Sequence, residues 1–77
     1  MTHYDQWLIQ FLSRWMPYGG GDEEILPEFG IAPHEFYSRA LRLLDDRSTR
    51  VDFVQRQRMR EFCCVKVRKL GPRPHGG

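Results

Sequence analysis

Apolar residues recur along the opening stretch of the chain with the period of a helix. Tyr4, Trp7, Leu8, Phe11, Leu12 and Trp15 fall at i, i+3, i+4, i+7, i+8 and i+11, while Asp5, Gln6, Gln10, Ser13 and Arg14 take the other side. This predicts an amphipathic helix over residues 3–17, the core helix of a small bundle. Thr2 precedes it as a cap, with Asp5 three residues later completing an approximate capping box. Pro17-Tyr18-Gly19-Gly20-Gly21 ends the helix. Asp22, Glu23 and Glu24 then supply a cap and dipole-matched acids for a short second helix. Pro27 is tolerable only in a first turn, so the regular part of this helix is expected to start near Leu26 or to bend there.

The pattern changes character at Phe29-Gly30-Ile31-Ala32-Pro33. Phe29 closes the second helix with an apolar side chain. Gly30 stands where the chain must leave the helix, a place that favours positive φ. Pro33 fits the first turn of the next helix, Glu35 suits its positive end, and Ala32 is a weak N-cap. From there Phe36, Ala40, Leu43 and Leu44 form a stripe at i, i+4, i+7 and i+8, widened by Tyr37 and Leu41. The opposite face carries His34, Glu35, Ser38, Arg39 and Arg42. A short helix, a glycine turn and a longer helix with a basic outer face have the form of a helix-turn-helix, with the second helix at about residues 33–45.

Asp45-Asp46-Arg47-Ser48-Thr49 interrupts the stripe, and Ser48 is read as the N-cap of a fourth segment with Asp52 in its opening turns. Residues 49–64 are expected to be helical, with Val51, Val54, Met59 and Phe62 inward and the Arg56–Arg60 run outward. Val65-Lys-Val-Arg-Lys-Leu70 alternates with period two and fits a strand or a continued helix. The expected fold is all-α: a small bundle of three to four helices over residues 1–70, with 71–77 as a flexible tail.

Composition sharpens this picture in one respect. The 77 residues make one small domain whose core depends on ten aromatic side chains, five Phe, three Tyr and two Trp. The net charge of +2 says little, but it is unevenly spread. Residues 1–46 hold three basic and eight acidic residues, net −5; residues 47–77 hold nine and two, net +7. Such polarity implies that the rear part meets a polyanion or is neutralised by the front part within the fold. No signal-peptide pattern and no long apolar stretch occurs, so a cytoplasmic, nucleoid-associated protein without a membrane anchor is expected.

Chemistry is sparse. Cys63 and Cys64 are adjacent, poorly placed for a disulfide, and match no zinc spacing with His3, His34 or His75, so they are expected to be small buried apolar residues. The triple glycine lacks the G-x-x-x-x-G-K-[ST] pattern that cradles phosphate. No Ser/His/Asp or Cys/His arrangement marks a nucleophile, so an enzyme is not expected, and neither a cofactor nor a metal is implied.

The block Arg14-Trp15, Gly19, Ile25, Phe29-Gly30-Ile31, Phe36-Tyr37 and Leu43-Leu44-Asp45 resembles a group of short actinobacterial helix-turn-helix proteins. In that group an aromatic-rich first helix ends in a Trp and a glycine turn; a Phe-Gly-Leu turn and a Tyr-Tyr pair follow. The resemblance covers about residues 7–46 and extends to the helix-turn-helix of sigma-factor region 4. It implies DNA binding and transcriptional control. Arg39 departs from the pattern, standing where many such helices place an apolar residue.

These readings converge on double-stranded DNA as the expected partner. His34, Glu35, Ser38, Arg39 and Arg42 would meet base edges or phosphates, and Arg47, Arg50, Arg56, Arg58, Arg60, Lys66, Arg68 and Lys69 would contact phosphates. A homodimer built on the apolar segment around Phe62 to Val67 is a further expectation. The alternative is a protein-interaction module gripping a subunit of the transcription machinery, which surface-exposed Tyr37, Tyr18 or Trp7 would favour.

Overall fold

The computed structural model describes residues 3–46 and 51–71, and these form four α-helices with no strand among them. Helix α1 runs His3–Trp15 and passes into a single 3-10 turn, Met16–Tyr18. Helix α2 is Asp22–Phe29, α3 is Pro33–Asp45 and α4 is Phe53–Leu70. Thr2, Arg47, Ser48, Arg50 and the stretch 72–77 lie outside the described residues, so the expected Thr2 and Ser48 caps do too.

The turn between α2 and α3 follows the sequence closely. Gly30 adopts φ 72°, and its N–H closes α2 by donating to the carbonyl of Leu26 at 2.8 Å. Ala32 is the extended N-cap of α3 and Pro33 its first residue. Phe36, Tyr37, Ala40 and Leu44 are all buried, so the apolar stripe of α3 is the floor of the core. Leu8, Phe11 and Leu12 of α1 and Ile25 of α2 cover it. An aromatic relay binds these three helices. Phe29 lies 5.1 Å from Phe36, 5.2 Å from Phe11 and 4.3 Å from Trp7, ring centre to ring centre. Edge-to-face geometry recurs in the relay, as the ring quadrupoles prefer.

Three expectations are corrected, and the alternative left open for residues 64–70 is decided in favour of helix. Helix α2 starts at Asp22 and carries Pro27 well inside. Pro27 and Glu23 are both exposed, so the backbone bond that Pro27 cannot make is lost where water reaches the freed carbonyl. Helix α4 begins at Phe53 rather than residue 49, because Asp52 is its N-cap and accepts from the Gln55 N–H at 3.4 Å. The period-two stretch 64–70 continues that helix to Leu70, where Gly71 donates to the Val67 carbonyl. Val54 points outward, 57% exposed, while Met59 and Cys63 enter the core and Phe62 and Val67 pack half-buried against it.

The largest helix–helix contact is between α3 and α4. Arg56, early in α4, reaches the end of α3, whereas Phe62 and Lys66, later in α4, meet Tyr37 near its start. The two helices therefore form an antiparallel hairpin, with α1 and α2 closing the other side.

Candidate nucleic-acid interface

Helical spacing places Glu35, Ser38, Arg39 and Arg42 on the side of α3 opposite its buried stripe. Glu35, Arg39 and Arg42 are exposed; Ser38 and His34 are half-buried at the rim. Arg39 forms a loose i,i+4 pair with Glu35, 3.8 Å apart, and its guanidinium lies 5.7 Å from the centre of the Tyr4 ring. Both partners are solvated, so the pair orients Arg39 without holding it strongly. A shallow pocket opens beside this face, lined by Tyr4, Asp5, Leu8, Arg39, Arg42 and Leu43. The face is thus basic but edged by a carboxylate from α1.

The described basic residues expected to touch phosphate divide into two sets. Arg56, Arg60 and Lys66 are engaged within the fold. Arg56 Nη1 donates to the carbonyl oxygens of Leu44 and Asp46, satisfying acceptors at the C-terminal end of α3. Arg60 Nε donates to Asp45 Oδ1 at 2.7 Å, and Asp45 raises the Arg60 pKa above its ordinary value. Lys66 Nζ donates to Asp22 Oδ2 at 2.9 Å from a half-buried position. Arg58, Arg68 and Lys69 are exposed and form no ion pair among the described residues. Arg47 and Arg50 lie outside the described residues.

No protein-family model, curated protein or solved structure matches the chain.

The most constrained polar group is one that the sequence pattern hides. Tyr37 is fully buried, and its hydroxyl sits between two acceptors, donating to Asp22 Oδ1 at 2.6 Å and lying 3.0 Å from the carbonyl oxygen of Gly20. Lys66 grips the other oxygen of the same carboxylate and lies 5.8 Å from the Tyr37 ring centre and 5.7 Å from that of Phe62. Asp22 is not the cap of α2 that its position suggests: Gly21 is the N-cap and makes no side-chain bond. Asp22 instead joins α2, α3 and α4 through one carboxylate. Burial, reinforced by Asp22, pushes the Tyr37 hydroxyl far above its ordinary pKa. Gly20 is required there: its φ is 110°, and a Cβ would collide with the Tyr37 hydroxyl and crowd Phe62 and Lys66. The signal in the sequence is a tyrosine on an otherwise apolar stripe, since a buried hydroxyl demands a partner.

Cys63 fulfils the expectation of a small buried apolar residue, and Cys64 beside it is half-buried. Burial, with a smaller push from Cys64, raises the Cys63 thiol to about 12. Among the described residues no group of His, Cys, Asp and Glu side chains could hold a metal ion. Nor is any helix among them long and apolar enough to cross a membrane. On the far side, α1 and α2 flank a groove of about 500 Å³ lined by Trp7, Gln10, Arg14, Trp15, Glu24 and Glu28. Trp7 is 41% exposed there, and Tyr18, 78% exposed, lines an adjoining pocket with Arg14 and Trp15.

Proposed function

We propose that the chain is a DNA-binding transcriptional regulator that lays α3 in the major groove of duplex DNA. One observation carries the reading: the outer face of α3, directly after the Gly30 turn, exposes Arg39 and Arg42, with Ser38 half-buried at its rim. Arg can bond bidentately to guanine O6 and N7, Ser to base edges or phosphate, and Glu35 can accept from cytosine N4. Phosphate contacts then come from Arg68, Lys69 and, in the segment before α4, Arg47 and Arg50. Arg56, Arg60 and Lys66 serve the fold instead.

The test is a fluorescence-anisotropy titration with random-sequence duplex and a panel of genomic fragments at two salt concentrations. A steep salt slope together with selection of one fragment is the expected result. Absence of binding at low salt overturns the proposal.

A second reading has an observation of its own. Tyr37 is buried and offers nothing to a partner, but Trp7 remains exposed in the α1–α2 groove, and Tyr18 is exposed in a neighbouring pocket beside Arg14 and Trp15. Aromatic residues of this kind anchor protein interfaces. Under this reading the chain grips a subunit of the transcription machinery, and binding to that subunit survives heparin, which strips a phosphate-reading surface.

A further inference from the structure

Helix α4 carries apolar residues on two sides. Its inner side supplies Met59, Cys63, Phe62 and Val67 to the core. Its outer side presents Val54 and Val65, 57% and 53% exposed, and between them Arg58 and Glu61, also exposed. These four residues fall at i, i+4, i+7 and i+11, a single stripe pointing away from the bundle. Among the described residues nothing covers it: Arg58 and Glu61 have no ion-pair partner there.

The order of residues in this stripe is self-complementary. When two copies of α4 run antiparallel about a two-fold axis midway between Arg58 and Glu61, Val54 of each meets Val65 of the other. Arg58 of each then stands level with Glu61 of the other. A two-fold interface uses the same patch twice, so each contact forms in duplicate. A parallel pairing would set Arg58 level with Arg58 and Glu61 level with Glu61, and would bring the two Arg68-Lys69 ends together. The antiparallel arrangement places those basic ends roughly 27 Å apart by the helical rise.

We propose that the outer face of α4 is the site at which a second copy of this chain docks, antiparallel, through Val54–Val65 and Arg58–Glu61 contacts. The sequence alone points to Phe62–Val67, but Phe62, Cys63 and Val67 are committed to the protein's own core. The pairing does not rest on DNA binding; it assigns Arg58 to the interface and leaves Arg68 and Lys69 for phosphate. One helix face per copy is a small interface, so the dimer is weak and concentration-dependent.

Sedimentation equilibrium from about 10 µM to about 1 mM tests it, covering the range expected for a small interface. The unaltered chain should pass from monomer to dimer across that range. Arg58→Glu or Glu61→Arg, each introduced twice by symmetry, should weaken the dimer at least about tenfold. An equimolar mixture of the two variants should dimerise again. In the mixed dimer every cross-helix contact between positions 58 and 61 again joins one acidic and one basic side chain. Both positions are exposed, and far-UV circular dichroism confirms that each variant is folded. A photo-cross-linking benzoylphenylalanine replacing Val54 should join the segment around Val65 of a second, isotope-labelled copy. A monomer throughout, a mixture that stays monomeric, or cross-links to the segment around residue 54 overturns the proposal.

Discussion

A tyrosine hydroxyl buried among the helices makes this fold sensitive to the loss of a single oxygen atom. Tyr37→Phe keeps the ring and its contact with Phe62 but removes the hydroxyl that donates to Asp22 Oδ1 and lies against the buried Gly20 carbonyl. The expected cost is about 1–3 kcal/mol, the penalty for leaving a buried acceptor unpaired, read as a lowered urea midpoint. Lys66→Met, which keeps the stem over the two rings, should cost less than Tyr37→Phe. Titration adds a second signature. In the folded chain Cys63 is raised from 9.0 to about 12, and Tyr37 is raised from its ordinary 10.0. Both groups stay protonated in the fold while the unfolded chain releases its protons, so stability is intact below pH 9 and falls as pH climbs toward 12. Urea midpoints measured across that window should decline, and the decline should flatten in Cys63→Ala. Thiol labelling at neutral pH should modify Cys64 quickly and Cys63 only as fast as the chain unfolds.

Helix ends separate what is legible in the chain from what is not. The α2–α3 turn and the bounds of α3 are readable because Gly30, Ala32 and Pro33 act locally, each through its own backbone preference. Gly30→Ala meets no neighbour, so its expected cost of about 1–2 kcal/mol is conformational, the penalty for a Cβ in the left-handed region. The start of α4 is read too early in the sequence because Ser48 has capping chemistry and stands four residues before Asp52, which is the residue that accepts the Gln55 N–H. Asp52→Ala should cost about 0.5–2 kcal/mol by thermal denaturation. The faces of α4 are harder still. Its apolar residues follow no single period, because some serve the core and others, such as Val54 and Val65, point away from it. The outer face of α3 is legible as soon as its stripe is. The loss of Arg56, Arg60 and Lys66 to internal bonds is not, since each depends on a partner at least ten residues distant.

Across the whole molecule, the acidic front and basic rear are partly stitched together: Asp22 holds Lys66, and Asp45 holds Arg60. The net excess of the rear half remains available, which makes salt the diagnostic variable for the DNA reading. Arg42→Ala or Arg39→Ala should relax the preference among fragments, costing about 1–3 kcal/mol on the selected one. Lys69→Ala should weaken all duplexes alike and reduce the salt slope by about one. Anisotropy at several salt concentrations distinguishes the two effects. The order in which the core is assembled has a consequence for how the chain is made. Met59 and Cys63 are the last fully buried residues along the described chain, and they lie against a floor laid down by Tyr37, Ala40 and Leu44. A ribosome delivers that floor first and its cover last, so the nascent chain carries an open apolar surface until α4 has emerged. Folding must wait for synthesis to reach α4, and a premature stop codon just after Asp52 would release a sticky, unfinished product for proteases to clear.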